Sequence, residues 1–174
     1  MPITIKQVRA ARELLNWTQA RLAEASGINL SIIKNFESEQ RLPTQENFLA
    51  IWRAFQKAGI AFESDGTFMS VKVRRGGRRA FQRPIDPRQS RAARKLLDWS
   101  QPHLSATAQI SSGAVRNFEG QQRPTAEVKL WAILRAFEEA GMVFEDDGKF
   151  IAVRVKTSLA PDGAQVLRIA SRAA

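Results

Sequence analysis

The chain has 174 residues, and hydrophobic side chains make up 44% of it, which is enough for one large folded domain or two small ones. The absence of cysteine excludes disulfides and thiolate metal sites, and the single histidine, His103, argues against a zinc site or a histidine-based triad. The net charge of +10 favours a polyanionic partner. No apolar run approaches the roughly 20 residues of a membrane span, and the amino terminus lacks signal-peptide features. We therefore expect a cytoplasmic protein that binds no metal and no cofactor.

The first part of the chain predicts four helices followed by a hairpin. The first three predicted helices each follow a residue whose side chain can cap the N-terminus, namely Thr4, Thr18 and Asn29, and Thr44 starts the fourth helix. Ala58-Gly59 ends the fourth helix. Two short segments in which apolar and other residues alternate, one on each side of Asp65-Gly66, then predict the hairpin.

The same pattern recurs 82 residues further along the chain without a gap. Between residues 9–73 and 91–155, 29 of 65 aligned positions are identical. A repeat of this length is a whole domain and not a solenoid unit. We predict a mainly α fold with short β-hairpins in two tandem domains, each of four helices followed by a hairpin. The first copy spans 1–74 and the second 88–156, joined by a basic Gly/Pro linker at 75–87 and followed by a tail at 157–174 that can add a strand.

The second and third predicted helices of the first copy carry a recognisable set of anchor residues. These are Gln19, Leu22-Ala23, Gly27-Ile28, Ile33 and Phe36-Glu37. The set resembles the Cro/C1, or XRE, family of bacterial helix-turn-helix transcriptional regulators, whose domains are lambda-repressor-like. The second copy has the same frame, but Gln109 replaces the turn glycine and Ser105 replaces Ala23. The resemblance implies double-stranded DNA as the partner, repression among the modes of regulation, and association with the nucleoid. We expect no enzymatic activity, because the paired carboxylates Glu138-Glu139 and Asp146-Asp147 fall on a helix flank and at a hairpin turn, and no pocket motif, phosphate loop or nucleophile elbow accompanies them.

The resemblance also implies which side chains contact DNA. The third helix of such a domain enters the major groove, and the residues on its predicted outer face are Leu30, Ser31, Lys34 and Asn35 in the first copy and Ser112, Arg116 and Asn117 in the second. At the start of each second helix, Gln19 and Gln101 are expected at phosphates. After each third helix, Arg41 and Arg123 are expected along the DNA backbone or in the minor groove. The alternative for all of them is a solvated surface, and for the two asparagines also a cap or turn. Glu37 and Glu119 are expected to bond within the fold.

Residues 75–91, which comprise the predicted linker and the start of the second copy, carry half of the excess charge, because they contain six basic residues and one acidic residue. Four of its arginines are predicted to lie along phosphates or in a minor groove: Arg75, Arg78, Arg79 and Arg83. The alternative is a solvated linker.

Several aspects of assembly and partnership stay open at this point. Two tethered copies form a covalent pseudo-dimer, and their different third helices predict an asymmetric DNA site. The hairpins can pair into one sheet within the monomer or pair through their edges in a homodimer. In the alternative function, one or both copies bind a regulatory protein, as an antiactivator or antitoxin does. The third helix of the second copy favours this alternative, because Ser112, Gly113 and Ala114 are small residues that offer few groups for reading bases and permit close approach of a protein surface. We assign four tryptophans to the core: Trp17, Trp52, Trp99 and Trp131.

Overall fold

The computed structural model describes residues 2–64, 68–74, 84–147, 149–156 and 167–168. In the first copy the elements are β1 (Pro2–Ile3), α1 (Ile5–Leu14), α2 (Gln19–Ser26), α3 (Leu30–Glu37), α4 (Gln45–Lys57), β2 (Ile60–Ser64) and β3 (Phe68–Arg74). In the second they are α5 (Pro87–Leu97), α6 (Gln101–Thr107), α7 (Ser112–Glu119), α8 (Glu127–Glu139), β4 (Met142–Asp146) and β5 (Phe150–Lys156), and β6 (Leu167–Arg168) follows. The protein is therefore mainly helical, with a small antiparallel sheet, as predicted.

The helices of the first copy begin where the sequence predicts. Thr4, Thr18, Asn29 and Thr44 each accept a hydrogen bond from a backbone N–H in the first turn of the helix that follows. In the second copy Asp86, Ser100 and Ser111 do the same. The start of α8 differs, because Ala126 stands at its N-cap and no side chain caps it. Most helix boundaries thus follow from local capping chemistry.

The two hairpins join into one four-stranded antiparallel sheet with the strand order β2-β3-β5-β4. At the centre of the β3–β5 ladder, Val71 pairs directly with Val153. These two valines are equivalent positions of the 82-residue repeat, and the flanking pairs Phe68–Lys156 and Arg74–Phe150 exchange equivalent residues. The ladder therefore places an approximate two-fold axis between the copies. Of the two pairings left open by the sequence, the hairpins adopt the one within the monomer.

A continuous hydrophobic core lies beneath the sheet and extends through both sets of helices. Helices α1 and α5 pack against each other across the two-fold axis, and each packs on the central strand of its own copy. Ile3 and Ile85, equivalent residues before these helices, are both buried. The tail strand β6 pairs with β1 and does not extend the second hairpin. None of the described helices is long and apolar enough to cross a membrane.

The assignment of all four tryptophans to the core is wrong for one of them. Trp17 and Trp99 are half-buried and stack on Phe55 and Phe137 with ring centroids 6.0 and 5.6 Å apart, and Trp52 packs partly buried against the core. Trp131 is instead 55% exposed on α8. It aligns with Leu49 and not with Trp52, whose equivalent is Leu134, so it lies on the outward side of the helix.

Candidate nucleic-acid interface

The turn between α2 and α3 requires a left-handed backbone at one position. Gly27 has φ +70° and caps the end of α2, and Asn29 then caps the start of α3. Gln109, its equivalent in the second copy, has φ +54°. The second copy thus keeps the same turn without glycine, although side-chain-bearing residues rarely adopt this conformation. Each copy therefore presents two short consecutive helices joined by a tight turn.

A buried carboxylate holds α1, α2 and α3 of the first copy together. Glu37, at the end of α3, accepts hydrogen bonds from Arg12 Nε at 2.8 Å, Arg12 Nη2 at 2.9 Å and Gln19 Nε2 at 2.9 Å. Arg12 also donates to the carbonyl of Trp17 at 2.7 Å. Burial alone would lower the pKa of Arg12, but the hydrogen bond and charge of Glu37 outweigh it and raise the pKa above its ordinary value. The arrangement fixes α3 relative to α1 and α2.

The second copy contains the equivalent centre, and it is more deeply buried. Glu119 accepts hydrogen bonds from Arg94 Nε at 2.8 Å and Nη2 at 2.7 Å, from Gln101 Nε2 at 2.9 Å and from Ser90 Oγ at 2.8 Å. Burial acts to raise the pKa of Glu119, but the hydrogen bond and charge of Arg94, with the Gln101 and Ser90 bonds, lower it overall. The expectation that Glu37 and Glu119 bond within the fold is confirmed.

The sequence did not identify the partners of these glutamates. Arg12 and Arg94 belong to the Arg-Ala-Ala-Arg segment that is identical in both copies, and that identity was the available signal. The structure also shows that the side-chain amides of Gln19 and Gln101 each donate one hydrogen bond to the buried glutamate of their own copy. Both glutamines remain at helix N-termini, and their phosphate contact stays a prediction.

The structure places the predicted contact residues of the first copy on one side of α3. Ser31 and Lys34 are exposed and Leu30 and Asn35 are half-buried, whereas Ile33 and Phe36 are buried on the opposite side. Ser31 Oγ donates to Asn29 Oδ1 at 2.9 Å, within the N-terminal cap. Arg41 is exposed in the segment after α3. This face is therefore accessible, polar at its centre and positively charged.

The corresponding face of α7 is accessible but chemically different. Ser112, Gly113 and Arg116 are exposed and Asn117 is half-buried, and Arg123 is exposed beyond the helix. Ser112 Oγ lies 3.0 Å from Ser105 Oγ, so it is linked to α6. A Cβ built on Gly113 would meet no atom within 4 Å, so the surface above this residue is open.

Asn35 and Asn117 use their backbones, and not their side chains, in the turns that follow the helices. The carbonyl of Asn35 accepts the N–H groups of Gln40 and Arg41, and that of Asn117 accepts the N–H of Gln122. Within the described part of the chain, neither side-chain amide forms a hydrogen bond. The turn role therefore explains the position of these residues without occupying the groups that would contact a base.

The four linker arginines that were predicted to contact DNA lie outside the described residues: Arg75, Arg78, Arg79 and Arg83. Their role stays a prediction. Among the described residues, no group of three or more His, Asp or Glu side chains is arranged to hold a metal ion.

Comparison with known proteins gives one match. Residues 8–58, from within α1 to just after α4, match a family model described as helix-turn-helix. The match covers less than a third of the chain and lies wholly in the first copy. No curated protein and no solved structure matches the chain.

Proposed function

We propose that this chain, whose residues 8–58 belong to the Cro/C1-type (XRE) family of DNA-binding helix-turn-helix regulators, binds a specific DNA site as a covalent pseudo-dimer. In this proposal the second copy is a second helix-turn-helix module. The observation that carries it is the direct pairing of Val71 with Val153, two equivalent residues at the centre of the shared sheet. Dimeric helix-turn-helix proteins use a two-fold axis to present two recognition helices to one face of DNA, and here a single chain supplies both helices.

The proposed DNA site consists of two half-sites, one read by α3 and the other by α7. In two-fold dimers such half-sites lie about 34 Å, or one helical turn, apart. The approximate axis relates α3 to α7, but their exposed residues differ: Lys34 in α3 corresponds to Arg116 in α7, and Ser31 corresponds to Gly113. Arginine can bind guanine through two hydrogen bonds, whereas lysine acts as a point charge. We therefore infer an asymmetric site.

Selection of binding sites from random DNA tests this proposal, followed by affinity measurements on single variants. Lys34→Ala should relax base preference in one half-site only, and Arg116→Ala in the other only, each with a loss of about 1–3 kcal/mol on the selected site. Arg135→Ala is the matched control, since Arg135 is exposed on α8 and its ion pair within the described part of the chain is with Glu139 of the same helix. Loss of preference in the same half-site for both variants would contradict the proposal.

The basic linker extends the proposal to non-specific contacts. If Arg75, Arg78, Arg79 and Arg83 lie along phosphates, replacing all four with alanine should reduce the slope of log affinity against log salt by about 0.9 per lost contact. Binding at a single salt concentration does not distinguish this role from general destabilisation, so the slope is the relevant measurement. An unchanged slope would show that the linker is only solvated.

A second candidate function is binding of a regulatory protein through the second copy. It is favoured by the exposed apolar residues of α8, where Val128 is 73% and Trp131 55% exposed beside a groove of 470 Å³ between α6 and α8. The equivalent positions of α4 carry Glu46 and Leu49, so the feature belongs to one copy. Two results together would replace the first function with this one. The full chain would enrich no DNA motif in the selection, and Trp131→Ala would abolish the pull-down of a protein partner that the intact chain retains.

A further inference from the structure

Two arginines at the contact between α1 and α5 occupy equivalent positions of the repeat. Arg9 lies on α1 and Arg91 on α5. Their side chains are 18% and 17% exposed, so little water competes for their hydrogen bonds. Neither is part of the buried Arg12–Glu37 or Arg94–Glu119 pair that holds each copy together. Their contacts instead extend across the two-fold axis.

Arg9 connects the end of α3 to the other copy. Its Nη2 donates to the backbone carbonyl of Glu37, the last residue of α3, and lies 3.2 Å from Glu39 Oε1. Its Nη1 lies 3.4 Å from Oδ1 of Asp98, the residue that caps α5 in the second copy. One guanidinium therefore bridges the carboxyl end of the first recognition helix and the carboxyl end of the opposite interface helix.

Arg91 makes the equivalent bridge in the other direction. Its Nη1 donates to the backbone carbonyl of Glu119, the last residue of α7, and its Nη2 donates to Asn16 Oδ1 of the first copy. Its Nε donates to Glu13 Oε2 at 3.0 Å. Asn16 is the repeat equivalent of Asp98, so both arginines use the same acceptor position. Each arginine thus faces one carboxylate of the opposite copy, which is Asp98 itself for Arg9 and Glu13, beside Asn16, for Arg91.

The acceptor position is held in an unusual backbone conformation. Asn16 has φ +55° and Asp98 has φ +56°, and Asn and Asp tolerate this left-handed region better than other side-chain-bearing residues. Asp98 also forms an ion pair with Lys6 at 2.5 Å, and the Lys6 side chain is only 9% exposed. The two ends of the junction are thus fixed by backbone geometry as well as by charge.

From this geometry we propose that Arg9 and Arg91 are positioning residues that set the orientation of α3 relative to α7, and thereby the half-site spacing that the protein accepts. The second clause rests on the proposed DNA-binding function, whereas the first does not. Each added base pair moves a half-site by about 3.4 Å and turns it by about 35° around the DNA axis. A rigid junction rejects such a change and a loosened one tolerates it.

The orientation is tested without DNA. The chain contains no cysteine, so Ser31→Cys and Gly113→Cys, two equivalent exposed positions on α3 and α7, can carry paired spin labels. We expect a narrow distance distribution in this parent and in its Arg135→Ala control, and a distribution broadened at least about twofold in the Arg9→Ala/Arg91→Ala variant. An already broad distribution in the parent, or an unchanged one in the double variant, would overturn the proposal. Melting curves verify that each variant is folded at the temperature used.

The spacing is tested on the selected DNA site with one base pair inserted or removed between half-sites. We expect the unlabelled parent to lose about tenfold or more in affinity and the double variant less than about threefold, with affinity for an isolated half-site unchanged. If the double variant is unfolded, Asp98→Asn replaces it in both experiments, because asparagine has the same shape and already occupies the equivalent position 16. Retention of the parental spacing profile would overturn the positioning role. Absence of DNA binding by the parent would refute the proposed function and leave the distance measurement to decide on the junction.

Discussion

Replacing Glu119 with glutamine removes the charge from the most buried ion pair of the second copy. The Glu119 side chain is 1% exposed and that of its partner Arg94 is 9% exposed. The substitution leaves the guanidinium facing a neutral amide, while its bond of 3.0 Å to the carbonyl of Trp99 is unaffected. Breaking a buried pair costs about 3–5 kcal/mol, because one charge stays buried without compensation. Glutamine keeps one acceptor oxygen, so we expect a loss of about 3 kcal/mol in the free energy of unfolding.

Urea unfolding followed by circular dichroism and tryptophan fluorescence measures this loss. With a slope of about 2 kcal/mol per molar urea, the midpoint should fall by roughly 1.5 M. Glu139→Gln is the matched control, since its pair with Arg135 is exposed on one helix and should contribute less than about 0.5 kcal/mol. The combined change Arg94→Met/Glu119→Leu should restore part of the stability, because it removes the uncompensated charge but leaves Ser90 Oγ and Gln101 Nε2 without their acceptor. A loss below about 1 kcal/mol in Glu119→Gln would refute the view that this pair fixes α7.

Further predictions concern pH and the turns that precede α3 and α7. The folded state lowers the pKa of Glu119. Its carboxylate therefore stabilises the fold above the unfolded pKa of about 4.3, and this contribution is lost as the pH falls through the lower folded pKa. Glu119→Gln should flatten the acid side of the curve of unfolding free energy against pH, and an unchanged curve would count against this reasoning. Gln109→Gly should raise the free energy of unfolding by up to about 1 kcal/mol, and with it the melting temperature, because Gln109 holds a left-handed φ of +54°. Gly27→Gln should lower it by a similar amount, and equal effects of the same sign would contradict this reasoning.

Much of the fold could be predicted from sequence because it is encoded locally. Thr4, Thr18 and Asn29 each have a side chain that can cap a helix and are followed by apolar residues at helical spacing, and the structure confirms that a helix starts after each. Because the second copy repeats this pattern, the same helices could be predicted there. Ala126 shows the limit of this reasoning, because α8 begins there without a side-chain cap.

The arrangement between the copies could not be predicted, since it depends on contacts between distant residues. Pairing of the two hairpins into one sheet could be named as one option, but the alternating pattern of a strand does not select its partner strand or register, such as Val71 opposite Val153. The sequence shows only that Arg9 and Arg91 are identical at equivalent positions of the repeat. Their acceptors in the opposite copy lie 89 and 75 residues away along the chain. Trp131 was placed in the core by residue type, although its helical position faces outward. The predicted DNA contacts share accessible faces of α3 and α7, and their roles stay predictions.

The proposal that one chain reads two different half-sites through α3 and α7 can be tested by selecting sites from random DNA with the full chain. We predict a motif of two dissimilar half-sites with a fixed spacing of about one helical turn. Enrichment of no motif, or of a strictly palindromic one, would contradict it.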